Sequence, residues 1–157
     1  MENLDVMVLR TLRDWRLAGR RALLTTVVRT WGSSPRPVGS IMALAEDGAV
    51  VGSVSGGCIE DDLIARYSRL HGATEPMPAG GAPALVKYGI TADEAHRFGL
   101  PCGGTLELLL EYDPEPASLE ALVASLEQGR LMQRTVSLVD GRVTLAEASS
   151  PAALSVD

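Results

Sequence analysis

No stretch of this chain is apolar for long enough to span a bilayer. The first ten residues, MENLDVMVLR, put charges where the apolar core of an export signal would sit. The expected compartment is therefore the cytoplasm. Cysteine is scarce: Cys58 and Cys102 are the whole complement. Two are too few for a disulfide framework, and a reducing compartment would keep both as thiols. Basic residues are outnumbered, with 14 Lys and Arg against 20 Asp and Glu and a net charge of -6. That balance excludes a general nucleic-acid binder, because phosphate backbones demand a basic face. The chain has no internal repeat, and spacing singles out neither a Ser/His/Asp set nor a carboxylate pair. The two histidines, His71 and His96, stand at no metal-ligand spacing from either cysteine and read as surface residues.

What is present is an ordinary globular composition. Of the 157 residues, 46% are hydrophobic and 22% charged, enough for one domain with a real core. The sequence is organised around Thr30–Glu60, which holds two glycine-rich loops, Gly32–Gly39 and Ser55–Cys58. Between them, Asp47-Gly48 signals a two-residue turn joining Ile41–Glu46 to Ala49–Val54. Closing that hairpin brings the loop before it and the loop after it to one end of a sheet. A third loop of the same character, Leu100–Gly104 (LPCGG), comes much later. The three are expected to build one site.

In chain order, Leu4, Val8, Leu12 and Trp15 mark one face of a helix over Asn3–Ala18, which Gly19 ends. Ala22–Thr30 is β-branched and apolar on both faces, a strand that must be covered on both sides. Ile59, Leu63, Tyr67 and Leu70 give a second helix, with Glu60, Asp61 and Asp62 in its first turn, where negative charge is favoured. His71–Pro83 reads as a surface loop, Ala84–Tyr88 as a short strand and Thr91–Phe98 as a short helix. Thr105–Tyr112 alternates Leu106, Leu108 and Leu110 with Thr105, Glu107 and Glu111, a half-buried strand. Ser118–Glu127 is a third helix, and Met132–Val139 pairs with Arg142–Leu145 across Asp140-Gly141. The domain spans 1–147, and 148–157 is expected to fray. The fold class is α/β (or α+β): a single domain with a mixed sheet, two hairpins and helices packed on it.

The loops carry the chemistry. Arg36 stands between Pro35 and Pro37, whose rings fix φ, so its planar guanidinium is presented on a stiff stalk suited to phosphate or carboxylate. A rigid turn whose arginine pairs with a nearby acid fits the same pattern. Ser55-Gly56-Gly57 ahead of a helix can turn backbone N–H groups toward an anion, or can be no more than a tight turn. It is neither a Walker A loop nor a dinucleotide fingerprint. Cys58 sits at the helix start, where thiol pKa falls, but the adjacent acids oppose that. Cys102, among Pro101, Gly103 and Gly104, resembles a thiol in a backbone nest. Either cysteine alone also reads as a small buried hydrophobe.

Taken together, GSSPRPVG at Gly32–Gly39, GSVSGGCIE at Gly52–Glu60 and PCGG at Pro101–Gly104 resemble the N-terminal domain of the XdhC/CoxI family, over most of the chain. These are accessory proteins that mature xanthine dehydrogenase and aerobic carbon monoxide dehydrogenase. The resemblance implies a chaperone, not an enzyme, that transiently binds the molybdenum cofactor (molybdopterin). It would deliver the cofactor to the large subunit of an apo molybdenum hydroxylase, with a cysteine desulfurase as a further partner. The matching residues are Ser33, Ser34, Arg36 and Gly39 in the first motif, Gly56, Gly57, Cys58 and Glu60 in the second, and Cys102, Gly103 and Gly104 in the third. Cys58 or Cys102 would lie near the molybdenum.

Ser40 stands where the family has alanine. Full-length members also continue into a Rossmann-like domain, so the expectation is either a single-domain member working with a separate Rossmann-domain protein or one of partial activity. A homodimer is expected, built on an edge at Met132–Leu145. Two readings compete: a thiol-based sulfur carrier or enzyme using Cys58 or Cys102, and a structural component of a molybdoenzyme complex.

Overall fold

The strand that the sequence requires to be covered on both faces lies at the centre of the sheet. A computed structural model describes residues 4–31, 36–54, 58–68, 77–78, 81–88 and 105–148. Along the chain these form α1 (Leu4–Leu17), β1 (Ala22–Trp31), β2 (Ile41–Ala45), β3 (Val50–Gly52), α2 (Cys58–Tyr67), β4 (Ala84–Tyr88), β5 (Thr105–Tyr112), α3 (Pro116–Glu127), β6 (Met132–Val136) and β7 (Val143–Glu147). Five strands make one sheet in the order β3-β2-β1-β5-β4, and β6 and β7 pair by themselves. The helix expected over Thr91–Phe98 and the tail after Ala148 lie outside the described residues.

Two apolar layers sandwich the sheet. On one face Leu23, Val27, Met42, Leu44, Leu106, Leu108 and Leu110 pack with Ile59, Leu63 and Tyr67 of α2. On the other, Leu24 and Ala43 meet Val8 and Leu12 of α1 and Leu119, Leu122 and Val123 of α3. The chain's own helices thus cover β1 on both sides. Leu4, placed on the buried face of α1 by its spacing, is 42% exposed, because it lies in the first turn, beyond the layer its neighbours join.

The α/β single domain with helices on its sheet is as expected, but all pairings among the described strands are antiparallel rather than mixed. The expected two-residue turn at Asp47-Gly48 is one residue longer. Ala45 donates to the Ala49 carbonyl and Gly48 to the Ala45 carbonyl, leaving Glu46, Asp47 and Gly48 in the loop with Gly48 at φ 94°. Only the last of the three needs positive φ, which is the role of glycine in a three-residue hairpin loop. β5 is buried on both faces and not half-buried, since α3 and β6 lie over the side that carries its acids. Pro116 opens α3 two residues earlier than expected, at a position where its missing N–H costs nothing. The β6–β7 hairpin is a separate ribbon, so the edges of the main sheet are β3 and β4 instead.

Gly52 shows how tightly α1 sits on this sheet. Its φ is 86°, and a Cβ there would collide with the Ile41 carbonyl oxygen and fall 2.8 Å from Val8 Cγ2. The first obstacle is backbone and cannot give way. Gly52→Ala should therefore destabilise the domain by about 2–5 kcal/mol, combining left-handed strain with overpacking. Urea denaturation checks this as a fall in midpoint.

Candidate functional site

The strand register fixes where the three glycine loops leave the sheet. β1 pairs with β2 only as far as Thr26, opposite Ile41, but with β5 as far as Trp31, opposite Thr105. Five residues of β1 therefore overhang β2. The first loop departs from that tip at Trp31, the third arrives beside it at Thr105, and the second leaves from the end of β3, where Ser53 donates to the Ile41 carbonyl. The strand ends that bound all three lie at the same end of the sheet. Ser33, Ser34, Gly56, Gly57, Cys102, Gly103 and Gly104 lie outside the described residues.

The return of the first loop is pinned to β1. Gly39 donates to the Val27 carbonyl at 2.8 Å, Val27 donates to the Ser40 carbonyl at 2.9 Å, and Ser40 donates to the Pro37 carbonyl at 3.1 Å. Gly39, at φ 96°, makes the turn that allows it. Arg36 lies near Asp5 at the start of α1. Part-burial pushes the Asp5 carboxyl above its ordinary value, and the Arg36 guanidinium pulls it back down. An arginine paired with a nearby acid is one of the two readings its proline stalk allowed.

On the other face, Cys58 is the first residue of α2. Glu60, which the sequence placed among the first-turn acids of the second helix, is buried and accepts a hydrogen bond from Ser53 Oγ at 2.7 Å. This ties the first turn of α2 to the strand end before the second loop. Asp62 accepts from Tyr88 Oη at 2.7 Å. Burial first, and then that hydrogen bond, hold the Tyr88 phenol well above its usual pKa, so it stays a donor.

A cleft of about 380 Å³ lies on the α1 face. Leu24, Thr26 and Val28 of β1 and Leu109 and Glu111 of β5 form its floor, α1 and α3 its walls, and Gly39 part of its rim. Among the described residues, Gly39 is the sequence-predicted site residue that lines it. Its polar groups, Asp5, Thr26, Glu111 and Arg134, escaped the sequence reading, although an acid such as Glu111 in a strand of leucines was a usable signal. Arg134 of β6 forks onto the buried Glu111 with bonds of 2.9 and 2.7 Å.

Beyond the cleft, a β-bulge between Val27 and Arg29 aligns Arg29 with Glu107, which also faces Lys87 of β4. Arg29 donates to Glu107 at 3.0 Å, and Lys87 Nζ lies 5.2 Å from the ring centre of Trp31. Among the described residues no cluster of three or more His, Cys, Asp or Glu could hold a metal ion, and no helix is long and apolar enough to cross a membrane.

Residues 15–89, which contain the first two glycine motifs, match the XdhC and CoxI family. The molybdenum cofactor insertion chaperone PaoD of Escherichia coli (strain K12) is 33% identical over 121 residues, 77% of this chain and 36% of that protein. A probable xanthine dehydrogenase subunit of Bacillus subtilis (strain 168) is 36% identical over 82 residues, 52% of this chain and 23% of that protein. The crystal structure of a protein described as a xanthine dehydrogenase from Bacillus halodurans superposes with a TM-score of 0.65 at 27% identity, covering 94% of this chain and 43% of that one. The chain thus spans less than half the length of each.

Asp5 should titrate above the ordinary 3.8, and Arg36→Ala should move its midpoint further up, because the cation that lowers it is gone. A carboxyl with a raised folded-state pKa favours the folded state on the acid side. That contribution is lost as pH rises through the raised value. Asp5 as a whole residue is exposed, so the direction is read by NMR titration of its carboxyl and not from stability.

Proposed function

We propose that this chain is the cofactor-handling domain of a molybdenum-cofactor insertion chaperone. The observation that carries this is the 33% identity to PaoD over 77% of the chain. In this reading the protein binds the cofactor transiently and passes it to the large subunit of an apo molybdenum hydroxylase of the xanthine dehydrogenase or carbon monoxide dehydrogenase type. It performs no turnover itself. A cysteine desulfurase and a Rossmann-domain protein act beside it, in the cytoplasm.

The cofactor is anionic through its phosphate. Arg36, with backbone amides from the Ser33-Ser34 and Gly56-Gly57 turns, suits that charge. Gly39 shapes the first loop, Glu60 holds the start of α2 under the second, and Cys58 and Cys102 with Gly103 and Gly104 bring thiols to the metal end. That the strand ends bounding the three loops share one end of the sheet supports one site.

The test is whether the protein, produced in cells that make the cofactor, retains molybdenum and pterin through purification. Arg36→Ala should weaken that retention by about 1.5–3 kcal/mol, the worth of a hydrogen bond to a charged group. A folded variant that binds as tightly as the unaltered protein would end the phosphate role of Arg36.

Homodimerisation is part of the proposal on narrower grounds. Both faces of β1 are covered within the chain, which leaves the strand edges as its basis. On the β4 edge, Leu85 is 42% exposed, and an open edge of this kind invites pairing. Sedimentation equilibrium should show a mass twice that of the chain, and a monomer across a wide concentration range would refute it.

A further inference from the structure

We propose that the cleft beneath α1 seats the pterin ring of the cofactor, an inference that rests on the chaperone reading and places one end of its ligand. The cleft's volume of about 380 Å³ lies within the range of roughly 300–1,000 Å³ typical of small-molecule sites, which pair apolar walls with a few convergent polar groups. Its walls follow that pattern. Leu9, Leu24, Leu109 and Leu122 are all buried and present apolar surface from α1, β1, β5 and α3, enough to hold a flat ring by its faces.

Two polar groups give the cleft a direction. Arg134 spends both terminal nitrogens on Glu111, and its Nε is buried without a hydrogen-bond partner. A buried donor left in that state costs stability unless a ligand or water accepts from it. Asp5 lies at the α1 end of the same cleft. A pterin carries, along one edge, an exocyclic amine beside a ring N–H and then a carbonyl oxygen. The paired donors match the two oxygens of a carboxylate, and the carbonyl or a ring nitrogen can accept from a guanidinium N–H.

The rest of the cofactor is then directed outward. Gly39 forms part of the cleft's rim and Arg36 lies beside Asp5, so the phosphate-bearing arm would extend toward the first glycine loop. In this arrangement Asp5 serves as a recognition group for the ring as well as a neighbour of Arg36. Nothing in the three sequence motifs points to α1 or β6, because the residues concerned are contributed one at a time by elements far apart in the chain.

The experiment measures binding of unsubstituted pterin, without phosphate or metal, by its own fluorescence, and in parallel the retention of intact cofactor. Three variants are compared with the unaltered protein: Asp5→Ala at the exposed lip, Thr26→Trp on the floor, and Lys87→Ala outside the cleft as the control. Saturable one-to-one pterin binding is expected, weakened at least tenfold by Asp5→Ala, abolished by Thr26→Trp and unchanged by Lys87→Ala, with cofactor retention following the same order. Circular dichroism establishes that Thr26→Trp folds, and Asp5→Ala decides the matter if it does not. Cofactor retained equally by Asp5→Ala and the unaltered protein would overturn the cleft assignment and leave the chaperone reading standing. If the unaltered protein binds neither pterin nor cofactor, both readings fall.

Discussion

β1 is hydrogen-bonded along both edges for its first half and along one edge beyond it, and most of the architecture follows from that change. Where both edges are paired and both faces buried, the strand can be apolar throughout, so Ala22, Leu23, Leu24 and Thr25 are all shielded and α1, α2 and α3 are drawn in as covering layers. Beyond Val27 only β5 accompanies it. The residues there become Arg29, Thr30 and Trp31, two of them exposed, and the glycine loops begin.

The acids buried on β5 are each held by a fixed partner. Glu107 and Glu111 are both buried on β5, and each is met by an arginine: Arg29 across the ladder and Arg134 from the separate β6–β7 ribbon. Removing one member of a buried pair leaves an uncompensated charge. The bidentate bond of Arg134 therefore fixes the ribbon's position over β5 as well as forming part of the cleft. Asp113, the residue after β5, does similar work at the other end, where it accepts from Arg21 and from the Ala22 amide.

Elements governed by local chemistry were legible in the sequence. The bounds of β4 and β5 match, Gly19 ends α1 in a left-handed conformation, and Ile59, Leu63 and Tyr67 are buried as their spacing required. Properties that depend on distant partners were not legible. The burial of Glu60 depends on Ser53 at the end of another element, and the burial of Glu111 depends on a ribbon that follows a whole helix later. The alternation in β5 gave the correct face for its leucines, but alternation cannot reveal that its acidic face is covered as well. For the candidate site, the first hairpin predicted that the strand ends bounding the first two loops share one end of the sheet, as the registers have it. The cleft was not legible, because Asp5, Thr26 and Arg134 share no motif.

The pinned return of the first loop has a consequence for sequence variation. Hydrogen bonds from Gly39 to Val27 and from Val27 to Ser40 fasten the returning chain to β1, and the connection between Trp31 and Val38 takes no part in the registers of β1 with β2 and β5. The cost of closing such a loop grows only with the logarithm of its length. Insertions and deletions there would leave the registers of β1 with β2 and β5 untouched. A lineage could therefore remodel this segment while inheriting the core unchanged, and length differences among relatives should concentrate between Trp31 and Val38.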